Sequence, residues 1–305
     1  MENTNTAAKR EVISRKEFYK KFKKKSNAAE IWSRFLKNRT AVVGLIIFGI
    51  IVLLAIFAPL LVSYEEQAIK LDVYNRLQGP GNGHLFGTDE VGRDIFARII
   101  YGARISLSVG ISSVAVALLV GGILGSISGF YGGKIDDVIM RVMDVFLCLP
   151  DVLLALAIIA TFGVSQINLV ISIGLSFSPK FARIVRSAIL TVRGSEYIEA
   201  ARSIGAKDGH IILRYALVNC MGPIIVQVTL YVASAILTIS GLSFLGLGIQ
   251  APTPEWGNML ASGRAFMRDE AYLVIAPGLA IFFTILSLNL LGDGLRDALD
   301  PRLKQ

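Results

Sequence analysis

Apolar runs close to 20 residues long recur along this chain, and a run of that length can cross the ~30 Å hydrocarbon core of a bilayer as a helix. Six are placed, at 41–63, 104–129, 145–162, 167–189, 216–248 and 272–291. In lipid every backbone N–H and C=O has to be paired within the segment, so such runs fold as helices. The expected fold class is an all-α membrane protein with six transmembrane helices. Composition agrees, with 53% hydrophobic residues and a mean hydropathy of +0.60. The organisation that follows is a basic tail over 1–40, a first span over 41–63, an external loop over 64–103, a five-helix core over 104–292 and a tail over 293–305.

Charge orients these spans. The net charge is +8, and residues 1–40 carry all of it, with 12 Lys/Arg against 4 Asp/Glu. Basic residues stay on the cytoplasmic side, which places the N-terminus inside and, with an even span count, the C-terminus too. The excess belongs to one tail that adjoins anionic lipid, so a nucleic-acid role does not follow from it. Within the tail, Ile31, Trp32, Phe35 and Leu36 share a face, the spacing of a short helix lying in the interface. Cys148 and Cys220 fall in or beside apolar segments and are expected to be buried free thiols.

Between the fourth and fifth runs lies a polar, helix-favouring island, residues 196–219. Glu199-Ala200-Ala201 favours helix, alanine being the best helix former. Gly205 permits a positive φ and a sharp exit before Ala206. Helix, glycine turn and second helix make a rigid knob, suited to a groove on a soluble partner. Lys180, Arg183, Arg186, Arg193, Arg202, Lys207 and Arg214 flank it, which places the island on the cytoplasmic side.

Within the runs, Gly121, Gly125 and Gly129 recur every four residues on one helix face. Small residues at that spacing let backbones approach where lipid supplies no hydrophobic drive. Gly241, Gly246 and Gly248, followed by Pro252 and Pro254, predict a break that is either a structural kink or a wall of the translocation path. Asp151, after Pro150, is costly in hydrocarbon. It either lines the path or caps a broken helix turn, or else its span begins later and it lies at the interface.

Catalytic chemistry is not visible. Gly132-Gly133-Lys134 is followed by Ile135, and Ser128 stands where a phosphate-binding loop needs its first glycine. His84 and His210 are far apart, and no metal-ligand spacing occurs.

The segment Glu199-Ala-Ala through Gly205-Ala206 resembles the cytoplasmic signature loop of ABC importer permeases. Further segments resemble the dipeptide/oligopeptide/nickel branch of that family: Phe86-Gly-Thr-Asp-Glu-Val-Gly-Arg-Asp-Ile-Phe96, Gly102-Ala-Arg-Ile-Ser-Leu-Ser108, Ala182-Arg-Ile-Val-Arg186, Ser243-Phe-Leu-Gly-Leu-Gly248 and the tail 292–301. The chain departs from the family at Leu217-Val218-Asn219, where the family usually has Leu-Pro-Asn.

The resemblance implies a type I ABC importer permease fold with a coupling helix within 195–215, in the bacterial plasma membrane. Glu199, Ala200, Ala201, Gly205 and Ala206 would contact the ATPase, while Asp151, Gly241 and Gly246 would border the path. The implied partners are a homologous second permease, two ATPase subunits that bind ATP and Mg, and an extracytoplasmic substrate-binding protein. The external loop would meet that protein, at Asp89 or Arg93 for example. The expected cargo is dipeptides or oligopeptides, with nickel or another small solute as the alternative. A self-sufficient secondary transporter is the reading from another class, and paired intramembrane charges would favour it.

Overall fold

The computed structural model describes residues 27–81 and 83–299, so the basic tail up to residue 26 and the end of the chain from residue 300 lie outside the described residues. Among the described residues there is no strand. A short helix α1 (Asn27–Phe35) leads into α2 (Arg39–Ile56), which Asn38 caps by accepting from the N–H groups of Thr40 and Ala41 at 3.1 and 3.3 Å. A helical turn, Ala58–Leu61, follows, with Pro59 in its first turn. The first run is therefore interrupted before residue 63.

Next comes α3 (Ile95–Tyr131), started by Asp94, whose carboxylate accepts from the Ala97 N–H at 2.8 Å. At 1.5 Å per residue its 37 residues span roughly 56 Å. It begins nine residues before the expected run, because Asp94 supplies an N-cap that hydropathy does not register; the external loop is shortened accordingly. α3 ends where Gly132 and Gly133 both take positive φ, at 67° and 54°.

The third expected run is two helices, α4 (Gly133–Leu147) and α5 (Asp151–Phe162), bent by 87° at the break. Pro150 is the cause: proline biases the preceding residue away from helix and offers no N–H of its own. Then follow α6 (Gln166–Val192), α7 (Glu196–Ser203), α8 (Asp208–Ile211) and two further helical turns, Ile212–Ala216 and Leu217–Asn219. α9 (Met221–Phe244), α10 (Trp256–Gly263) and α11 (Tyr272–Leu299) complete the fold. The fifth run thus starts five residues late, after a bend at Cys220, and α11 runs eight residues further than expected.

By length and composition four helices, α2, α3, α9 and α11, can cross a membrane, and the bent pair brings the number to five. α6 does not qualify on hydropathy because it carries Lys180, Arg183 and Arg186. Its packing against α3 is nonetheless the most extensive between any two elements of the molecule. A Cβ on Gly121 would lie 2.3 Å from the Ser178 carbonyl oxygen, one on Gly125 2.3 Å from that of Ala182, and one on Gly129 2.9 Å from that of Arg186. The partners advance together along both helices, so α3 and α6 run parallel. For two parallel helices in sequence, the α4–α5 unit must carry the chain back across the same thickness. Gly44 of α2 meets Ser287 and Leu290, and Gly294 meets Ala41, so α2 starts and α11 ends on one side. That side also holds α7.

On the opposite side a buried charge cluster ties the external loop to the bundle. Asp89 accepts from Arg93 Nε at 2.6 Å and faces Arg98 Nε at 3.5 Å. Arg98 also donates to the carbonyls of Ala68 at 2.9 Å and Pro252 at 3.3 Å, joining three separate segments. Gly92 is indispensable here, since its φ is 86° and a Cβ would sit 1.7 Å from the Asp72 carbonyl oxygen. Tyr272 at the head of α11 donates to the carbonyls of Gln78 and Thr88 at 3.0 and 3.2 Å.

Three outcomes are testable by thermal unfolding in detergent. Gly125→Ala is expected to cost about 1–3 kcal/mol by overpacking the α3–α6 seam. Gly122→Ala meets only Leu118 at 3.8 Å and should be neutral. Arg98→Met leaves Asp89 paired with Arg93 but strips the Ala68 and Pro252 carbonyls of their buried donor, and should cost about 1–3 kcal/mol.

Candidate coupling surface and charge ladder

Only residues 193–195 separate α6 from α7, so the polar island is mounted directly on a long bundle helix. Ile198 and Ala201, three apart on α7, face inward. They join Phe130 of α3, Val185 and Ile189 of α6, and Ile211, Ala216 and Ile224 beyond the turn, in one apolar cluster. Gly205 takes φ +81°, the Ala206 N–H reaches the Ala201 carbonyl at 3.1 Å, and the Gly205 N–H reaches that of Arg202 at 3.0 Å. Together these bonds form the glycine-terminated helix end known as a Schellman motif. The Arg202 guanidinium lies 5.3 Å from the Phe130 ring centroid and covers the cluster's edge.

Of the five residues expected to form the contact, Glu199, Ala200 and Gly205 are exposed and Ala206 is half-buried. Ala201 is buried, so it anchors α7 and is not available to a partner. Ile204, which the sequence reading passed over, is 83% exposed at the apex of the turn. Ile204 follows the last residue of α7 and stands six residues from Ile198, a spacing that takes it off the buried face. The departure at Val218 leaves the chain helical on either side, and Asn219 donates to the Tyr215 carbonyl at 2.7 Å.

The second feature is a ladder of ion pairs joining α6 to the bent pair. Arg186 grips Asp136 with two bonds of 2.6 Å, and Ser128 adds a third contact to the same carboxylate. Arg183 meets Asp144 at 2.7 Å. Lys180 pairs with Asp151, which opens α5. Asp151 therefore heads a broken helix turn, and its partner is a base placed by sequence reasoning on the cytoplasmic flank. Acids at 136, 144 and 151 against bases at 180, 183 and 186 were the available signal. A charge within an apolar run needs a partner, and these are of matching number and opposite sign.

The remaining expected path residues lie apart from this pair. Gly241 is within α9, with open space where a Cβ would be, and Gly246 takes φ +80° just past the helix end. The break predicted around 241–248 is thus the C-terminal end of α9, followed by a return through α10. There Glu255 caps α10 by accepting from the N–H groups of Gly257 and Asn258, each at 2.8 Å. Asp89 and Arg93 are buried at 6% and 5% exposure, which removes them as reachable points on the external loop. Tyr74, almost fully exposed, stands there instead. Cys148 is exposed at the α4–α5 bend, against expectation, while Cys220 is buried and lies 3.1 Å from the Ala188 carbonyl.

Comparison with known proteins gives this architecture its place. Residues 121–305 match the family model described as binding-protein-dependent transport system inner membrane component. The chain belongs to that family. Residues 26–80 match the N-terminal transmembrane domain of oligopeptide transport permease C. Among relatives, the dipeptide transport system permease protein DppC of Alkalihalophilus pseudofirmus is 49% identical over 90% of each chain. The di/tripeptide permease DppC of Pseudomonas aeruginosa is 44% identical over 90% of this chain and 92% of its own. The glutathione transport system permease protein GsiD of Pectobacterium atrosepticum is also 44% identical, over 90% and 91%.

The fold of this permease is also that of solved ABC transporters. The inward-facing MetNI methionine transporter aligns with TM-score 0.55 at 15% identity, over 67% of this chain and 96% of its own. An amino acid ABC transporter crystallised with histidines aligns with TM-score 0.52 at 17% identity, over 66% and 94%. The chain is a multi-pass membrane permease of the ABC importer class, a transport subunit and not an enzyme.

Maleimide labelling distinguishes the two faces of α7. In a Cys148→Ser background, Ile204→Cys is expected to react at least about tenfold faster than Ala201→Cys, whose thiol is reached only by local opening. Equal rates would mean that Ala201 is not packed inward.

Proposed function

We propose that this chain is one of two non-identical permeases of a bacterial importer that carries short peptides, driven by separate ATPases. The observation that carries the reading is the α7 knob. It is a surface helix braced from beneath by Ile198 and Ala201, ending in a glycine turn that presents Ile204 outward and continuous with a bundle helix through residues 193–195. A rigid apolar projection on a polar loop suits a groove on a soluble protein, and packed elements pass on rigid-body displacement. Glu199, Ala200, Gly205 and half-buried Ala206 surround the apex and complete the ATPase contact; Ala201 holds it in place.

The other assignments follow from this reading. ATP and Mg are bound by the two ATPase subunits. A second, homologous permease supplies the other wall of the path, and an extracytoplasmic binding protein delivers cargo to the side carrying Tyr74. The α7 side is cytoplasmic, supported by the 12 basic residues in the first 40, and the host membrane is the bacterial plasma membrane. Gly241 and Gly246 border the path near its external end. Relatives named for dipeptides, di/tripeptides and glutathione support peptides as cargo.

Reconstituting the complex purified from native membranes in mild detergent, and following uptake of a panel of di- and tripeptides, tests the whole reading. Transport by this chain alone would refute the ATPase-driven part. Within the complex, Ile204→Asp is expected to lower uptake by about tenfold or more, as loss of an interface anchor does, with unchanged permease level in the membrane. Gly205→Ala meets no neighbour and carries only the left-handed backbone cost of about 1–2 kcal/mol, so its effect should be smaller.

A further inference from the structure

Lys180 and Asp151 form the deepest rung of the ladder. Lys180 lies roughly 18 Å along α6 from its end at Val192, at about 1.5 Å per residue. Their side chains keep 34% and 26% exposure in this chain, so one side of the pair is open. The pair does not sit alone. The Lys180 ammonium stands 5.8 Å from the Phe177 ring centroid, and Tyr231 of α9 packs on Phe177 and Phe181 with centroids 5.4 and 4.9 Å away.

Tyr231 belongs to a stripe on α9. Gln227, Tyr231, Ser234, Thr238 and Gly241 follow one another at steps of four, three, four and three, which is one helical face. None of the five is buried by this chain, although the helix as a whole is apolar enough to span a membrane. A polar face on such a helix is turned to a water-filled space or to protein and away from lipid.

The open side of the Lys180–Asp151 pair and the α9 stripe therefore meet at Tyr231. We propose that this is a cargo-reading station in the translocation path: Lys180 donates to the free carboxylate of a passing peptide, and Asp151 accepts from its ammonium. The proposal rests on the peptide reading of the preceding subsection. A zwitterionic peptide carries the same two charges as the pair, so it can exchange places with it. Each side chain lets go of the other and takes the oppositely charged end of the cargo, and the pair re-forms when the cargo leaves. No ionised group is stranded at membrane depth at any point. A peptide blocked at one end leaves one member of the pair without a partner, which disfavours its passage. Tyr231 flanks the station and offers its ring and hydroxyl to the peptide backbone.

The test compares uptake of dialanine, dialanine amide and N-acetyl-dialanine by the complete reconstituted complex, each above saturation of the binding protein, in wild type and in the variants Lys180→Gln and Asp151→Asn. Preferences of the binding protein are common to all and cancel in the ratios. Lys180→Gln is expected to raise uptake of the amide relative to dialanine by roughly tenfold, and Asp151→Asn to do so for the N-acetyl form, as for a site that loses the group demanding one substrate feature. Tyr231→Phe, which leaves the pair intact, should lower uptake of all three while preserving their ratios. If both charge variants lower all three substrates in equal proportion at normal membrane levels, the pair is structural and the proposal is overturned. Wild-type complex that carries none of the three overturns the peptide reading itself.

Discussion

The close approach of α3 and α6 is the constraint on which the other contacts depend. Two helices can run parallel at backbone distance only if one of them lacks side chains along the seam, and Gly121, Gly125 and Gly129 provide that absence. The parallel direction then dictates the rest. The chain between the two helices must return across the bundle, and it does so as α4 and α5, bent at Pro150. That return brings Asp136, Asp144 and Asp151 alongside the bases of α6. The ladder is thus a consequence of the seam. A base within a helix that crosses lipid is costly, by about 2.5–3.5 kcal/mol near the centre of a span, and an acid beside it offsets that cost.

The two ends of the bundle are held in different ways. On the side opposite α7 the fastening is polar, with Asp89, Arg93 and Arg98 sharing one buried network while Tyr272 clasps two carbonyls. Buried charges with several partners give a unique geometry more than they give stability. At the α7 end the fastening is apolar, through Ile198, Ala201 and Phe130, with no directional bonds among the three. Under the proposed function, the first arrangement would hold the loop's shape while cargo is delivered, and the second would let the knob carry motion into the bundle.

Much of this was legible from residue order, for physical reasons. The apolar runs announce α2, α3, α9 and α11 because hydrocarbon leaves helices no alternative. The four-residue glycine period announces a packing face, and Gly205 announces the exit from α7. What was not legible depends on register between distant segments. Asp89 and Arg93 look like surface charges in a polar loop, yet Arg98 on the next helix and Pro252 far along the chain draw them inside. Asp151 is anomalous in the residue order because its partner Lys180 lies 29 residues away, in the fourth run, among the bases that flank the polar island. Paired intramembrane charges, set down as the mark of a secondary transporter, are present here within an ABC importer permease, so the pairing itself does not separate the two classes. Ala201, expected at the contact, is buried instead, because an eight-residue helix has too few turns for periodicity to settle which face is buried.

The positions of two prolines link the knob to the deepest rung. Pro150 immediately precedes Asp151, and Pro179 immediately precedes Lys180, so both members of the pair follow a residue that cannot donate a backbone hydrogen bond. A helix bends most readily where its ladder lacks a bond. From Pro179 to Val192 α6 is uninterrupted helix about 20 Å long, at 1.5 Å per residue, and it leads directly into α7. A displacement applied at Ile204 is carried by that rod and meets its first weak point beside Lys180. The facing helix is weak at the matching place, beside Asp151. Under the proposed coupling, motion delivered at the knob would act most on the separation of these two charges, while the rungs at Arg183 and Arg186, within the rod, would move as a body.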